Sequence, residues 1–152
     1  MATVKPVFVF IPGAWHTPDC FDQVRELLST QGYESVAIAT PSVGANPPEN
    51  GLHADIAYTK TILEGLLDKG QHIIVVNHSY GGIVGAGAVE GLGLAQRSQA
   101  GLPGGVIMVV WLASFVALKG TSLFDKLGNK WFPWMLPDVS TNFHSTGSSL
   151  LC

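Results

Sequence analysis

Charge is scarce in this chain: Asp, Glu, Lys and Arg make up 12% of its 152 residues, about half the usual ~25%. The deficit excludes a disordered, highly solvated chain. With hydrophobic residues at 47% and a mean hydropathy of +0.31 there is ample material for a core. Basic residues are in no excess. The formal net charge is −3 and the pI about 5.9, which argues against nucleic acid and anionic lipid as partners. Cysteine is nearly absent. Cys20 and Cys152 fit neither a disulfide scaffold nor zinc-ligand spacing, so reduced thiols in a cytoplasmic setting are expected. Long apolar runs are lacking too: the charge-free run Val106–Leu118 falls short of the ~18 residues that suggest a membrane span. The apolar start of the chain lacks a small-residue cleavage site, so no targeting segment is expected.

What is there reads as one domain without repeats or linkers. Val4 to Ile11 is a β-rich apolar run suited to a parallel strand covered on both faces. Thr17-Pro18 then opens a helix in which Phe21, Val24, Leu27 and Leu28 recur at helical spacing, and Gly32 closes it. A second strand, about Ser35 to Ala39, follows directly. After a Pro/Gly/Asn-rich loop, His53 to Asp68 places Ile56, Ile62, Leu63, Leu66 and Leu67 mostly on one helical face. His72–Val76 is a third strand, Ile83 to about Ala95 a glycine-rich helix, and Val106–Leu112 a fourth strand. Strand and helix alternate, which argues an α/β fold with a parallel sheet of about four strands flanked by helices. Between Gln71 and Leu118 the only charged residues are Glu90 and Arg97, so this stretch is expected at the buried centre. Right-handed crossovers predict the spatial order second, first, third, fourth strand.

The chemistry concentrates at Asn77-His78-Ser79-Tyr80-Gly81-Gly82. A buried strand enters a serine at a tight turn and leaves as a helix, the setting a nucleophile elbow of the G-x-S-x-G type requires. Asn77 stands where the first glycine belongs. A second element, Ile11-Pro12-Gly13-Ala14-Trp15-His16, ends the first strand, where backbone amides can be aimed at a developing oxyanion. Such a donor is worth about 3–4 kcal/mol in acyl transfer. Other patterns fail. Gly85-Ala86-Gly87 followed by Glu90 puts glutamate where a dinucleotide fingerprint needs glycine, and inside a helix. No phosphate loop and no metal spacing is present.

On these residues, together with the strand from Val106 leading to Ala113-Ser114-Phe115, the chain resembles the α/β-hydrolase superfamily. More narrowly, it resembles the small-esterase branch that holds plant methylesterases and hydroxynitrile lyases. The resemblance spans about Val4 to Asp138 and implies a partial α/β-hydrolase fold with the start of a cap after the fourth strand. It implies Ser79 as nucleophile, the amides of Ala14 and Tyr80 as oxyanion donors, and Trp15, His16 and His78 as pocket lining. It further implies hydrolysis of a small carboxylic ester without a cofactor, with hydroxynitrile-lyase-like chemistry or a non-catalytic ligand-binding remnant as alternatives.

The family keeps its acid after a later strand and its histidine near the end of a longer chain, so a C-terminally truncated member with little activity of its own is expected. Residues 1–138 would form the hydrolase part and 139–152 a disordered tail. Asp125 and Asp138 follow the fourth strand, and His144 lies beyond. Asp138 and His144 are the acid and base on offer, at a separation unlike the family's; surface residues of a broken cap are the other reading. Trp131-Phe132-Pro133-Trp134 would line an acyl pocket or belong to ordinary core. The oligomeric state is left open.

Overall fold

The computed structural model describes residues 5–44, 51–118, 120–133, 135–138 and 143–146. Its centre is a four-stranded parallel sheet of β1 (Val7–Ile11), β2 (Ser35–Ala37), β3 (His72–His78) and β4 (Gly105–Leu112), in the order β2-β1-β3-β4. That is the predicted order. The register sets Val9 beside Val36 and Val75, and Val75 beside Val109.

Side chains alternate along each strand and divide the core in two. Val7, Val9, Ile11, Ile73 and Val75 face one way, against α2 (Leu52–Leu67) and α3 (Gly81–Ala88), and are joined there by Leu63, Leu67 and Val84. Phe8, Phe10, Ile74 and Val76 face the other way, where a 3₁₀ turn (Pro18–Phe21) and α1 (Asp22–Thr30) supply Phe21 and Leu28. The first face is packed. The second is thin: α1 buries no residue, and Val24 and Leu27, expected inward from their spacing, are 40% and 66% exposed. An open cavity of about 740 Å³ lies over this face, between Phe10, Leu28, Val76, Val110 and His78.

The glycine-rich helix expected from Ile83 to Ala95 is two helices. α3 ends at Ala88 and α4 (Leu94–Gln99) begins after a turn at Gly91, whose φ of +81° is left-handed and stops a right-handed helix. Past β4 come α5 (Leu123–Lys126) and a two-stranded antiparallel sheet of β5 (Met135–Asp138) and β6 (Phe143–Thr146). Residues 143–146 of the expected tail thus form a strand.

β4 ends the sheet with Ile107, Met108, Trp111 and Leu112 all 40% or more exposed. Beyond the bridge of Val106 to Gly93, no further strand pairs with β4 on that side among the described residues, and an exposed apolar strand edge is a template for edge-to-edge pairing. The chain is expected to self-associate at micromolar concentration in light scattering, and Met108→Lys with Leu112→Lys to reduce this. A monodisperse unmodified chain would contradict the expectation.

Candidate active site

Ser79 sits where β3 becomes α3. Its backbone takes φ +51°, a left-handed conformation that non-glycine residues rarely adopt and that costs of order 1–3 kcal/mol. The surroundings hold it there. The Ser79 carbonyl accepts hydrogen bonds from the amides of Gly82 (3.0 Å) and Phe115 (3.1 Å) and from the Ser114 hydroxyl (2.9 Å). Ser114 and Phe115 reach back over the turn because Ala113, just past β4, is itself left-handed at φ +44°.

Two glycines admit these close approaches. A Cβ on Gly81 would meet the Ile11 and Pro12 carbonyls, the latter at 2.7 Å. On Gly82 it would meet Ser114, the Phe115 carbonyl and, at 3.0 Å, the Trp111 ring. Backbone on one side and β4's exit on the other leave no room for a side chain.

The exit of β1 forms the adjoining wall. A Cβ on Gly13 would stand 3.0 Å from the Ser79 Cβ, 3.2 Å from His78 Nδ1 and 3.4 Å from His16 Nδ1. Gly13 therefore lies among the serine and two histidines. His16 Nδ1 is 2.8 Å from the Ala14 carbonyl; a carbonyl only accepts, so Nδ1 is the donor. The two imidazoles meet edge to face, with centroids 5.8 Å apart. Burial, and secondarily the charge of His16, hold the His78 pKa below its ordinary value, which favours a neutral ring. Trp15, between Ala14 and His16, is left-handed at φ +64°. Tyr80 opens α3, so its amide is among those a helix leaves without internal partners.

The structure thus places Pro12–His16, His78, Ser79 and Tyr80 side by side. Asp138 and His144 lie on the β5–β6 ladder, where Asp138 is opposite Phe143 and His144 opposite Pro137; their side chains are outside the described residues. Asp125 is spent elsewhere. It caps α5, accepting from the Ser122 amide (2.7 Å) and hydroxyl (2.8 Å), which lowers its pKa. Among the described residues no group of His, Cys, Asp and Glu is clustered for a metal, and no helix is long and apolar enough to cross a membrane.

Ser114, named from the sequence only as part of Ala113-Ser114-Phe115, and Asp55 and Ser42, which no motif marked, complete the site. Ser114 holds the Ser79 carbonyl, and Asp55 with Ser42 holds the Tyr80 side chain. The only signal for Asp55 was its spacing, four and eight positions ahead of Thr59 and Leu63 on the stripe that α2 buries.

A serine at positive φ between a parallel strand and a helix, walled by the exit of the first strand, has the strand–turn–helix geometry of an α/β fold's elbow. The chain belongs to the alpha/beta hydrolase family, whose model matches residues 8–149. It is 29% identical over 127 residues to Alpha/beta hydrolase nvfD of Aspergillus novofumigatus, covering 82% of this chain and 49% of that protein. It is 28% identical over 149 residues to Norfluorocurarine synthase 1 of a Strychnos species, covering 93% and 51%. Among solved structures, a PytH variant matches with a TM-score of 0.63 at 18% identity, over 94% of this chain and 57% of that one, a likeness of fold. The chain spans about half the length of the curated relatives it matches.

Proposed function

We propose that the chain carries the nucleophile and oxyanion-binding elements of a serine hydrolase acting on small carboxylic esters. The observation that carries this reading is Ser79 held at φ +51° by three donors to its carbonyl, against the Gly13 backbone. Strain maintained at a turn by dense hydrogen bonding is a mark of functional positioning.

In the reaction Ser79 Oγ attacks the acyl carbon, and its proton passes through a base to the departing alcohol as the ester C–O bond breaks. Water then attacks the acyl-serine, releasing the carboxylic acid and returning the proton to Oγ. The Ala14 and Tyr80 amides hold the oxyanion in both halves.

A fluorophosphonate probe tests the assignment by mass spectrometry. Ser79 is expected to be phosphonylated ahead of the chain's other serines, and Ser79→Ala to lose that adduct. Labelling spread evenly over the serines would sink the proposal.

A further inference from the structure

Asp55 is fully buried, yet no lysine or arginine faces it among the described residues; all its recorded partners are neutral. Its Oδ1 accepts the Ser42 amide at 2.9 Å. Its Oδ2 accepts the Ser42 hydroxyl at 2.6 Å and the Tyr80 phenol at 2.8 Å. One carboxylate therefore joins the loop after β2, the first turn of α2 and the residue that follows the nucleophile.

We propose that Asp55 is a positioning residue for oxyanion stabilisation, acting through the Tyr80 side chain to fix the direction of the Tyr80 amide. The proposal rests on the serine-hydrolase reading above, since the amide matters only if an oxyanion forms beside it.

The physical case is one of alternatives. Burying a carboxylate costs several kcal/mol before its partners compensate, and an apolar residue at this position would pack α2 at lower cost. The position continues the stripe of Thr59, Leu63 and Leu67, where hydrophobic contact is the ordinary solution. What the carboxylate adds is direction. A phenol–carboxylate hydrogen bond fixes the far end of the Tyr80 ring, while the Ser79 carbonyl is fixed on the other side by Ser114, Phe115 and Gly82. The Ser79 carbonyl and the Tyr80 amide belong to one planar peptide unit, held at its oxygen by these three donors and tethered through the Tyr80 side chain to Asp55. An amide held so needs no reorganisation when charge develops on the substrate oxygen, which is where such donors gain their effect. Burial and the neighbouring carboxylate raise the Tyr80 pKa, so the phenol stays a donor.

Two measurements test this on the full chain with Asp55→Asn, Tyr80→Phe and the double variant. Amide hydrogen exchange reads the clamp itself. Each single variant is expected to speed exchange of the hydrogen-bonded Gly82 to Val84 amides ~10-fold or more, and the double variant to add little, as partners in one interaction do. Core amides of β1 and β3 should keep their protection. Unchanged exchange around Tyr80, or a uniform rise through β1 and β3, would overturn the proposal, the second because it marks a merely structural role.

The kinetics of Ser79 phosphonylation by the fluorophosphonate read the consequence. The saturating rate is expected to fall ~10-fold while the half-saturating probe concentration holds, the signature of an interaction made in the transition state. A rise in the half-saturating concentration alone would also overturn the proposal. Labelling of the unmodified chain no faster at Ser79 than at its other serines overturns the hydrolase reading, whereas the exchange experiment judges the clamp independently.

Discussion

Short p-nitrophenyl esters are expected to turn over on this chain at least ~10⁴-fold more slowly than on a family member with a complete triad, because among the described residues no histidine with a carboxylate partner stands beside Ser79, and a seryl hydroxyl without a base is a weak nucleophile. The two histidines beside Ser79 are poorly suited to be that base. His16 donates Nδ1–H to the Ala14 backbone carbonyl, where a triad would place a carboxylate. His78 is partly desolvated and faces His16, so its proton affinity is lowered. Neither has a recorded carboxylate partner among the described residues, and a triad needs one to hold the ring and offset its charge. The residual rate expected is that of the oxyanion amides and binding alone. Ser79→Ala should remove the nucleophile-dependent part. Robust turnover lost in Ser79→Ala would show that a base acts within the 152 residues. His16→Ala, His78→Ala and His144→Ala would then identify it.

Much of this arrangement was legible because local signals and global topology agree. β1 and β3 are short apolar β-branched runs, each ending at a glycine-containing turn, and such runs have few other places to go than the middle of a parallel sheet. The elbow is legible for the same reason: a serine between such a strand and a helix rich in small residues has little freedom. Asp55 was not legible. A single acid in an amphipathic helix reads as an interruption of the apolar pattern, and its partners Ser42 and Tyr80 lie 13 and 25 positions away. Ser114 depended on the left-handed turn at Ala113, which no glycine or asparagine advertises. The break between α3 and α4 was hidden among Gly82, Gly85, Gly87, Gly91 and Gly93, of which Gly91 alone is left-handed. The exposed Val24 and Leu27 show the complementary failure: helical spacing identifies an apolar face, but what covers it must come from elsewhere.

Gly85→Ala is expected to destabilise the chain by about 3 kcal/mol, at the upper end of the range for overpacking a closed core. Gly85 lies in α3 over Asn77, and a Cβ there would meet the Asn77 Oδ1, with Cγ at 2.7 Å and Nδ2 at 2.9 Å. The asparagine cannot withdraw. Its backbone is fixed in β3 between Ile11 of β1 and Trp111 of β4, and its side chain is wholly buried. Neither side-chain polar atom of Asn77 has a recorded partner, so this amide bears the cost of an unsatisfied buried group, about 1–3 kcal/mol. Asn77→Ala should therefore be neutral or stabilising. In that background Gly85→Ala should change sign: the clash is gone, the new methyl fills space the amide vacated, and alanine is favoured over glycine in a helix by about 1 kcal/mol. The cycle should show a coupling of about 4 kcal/mol between the two positions in urea unfolding, large for a pair of uncharged residues. Equal effects of Gly85→Ala in both backgrounds would mean that Asn77 is not what the missing side chain makes room for.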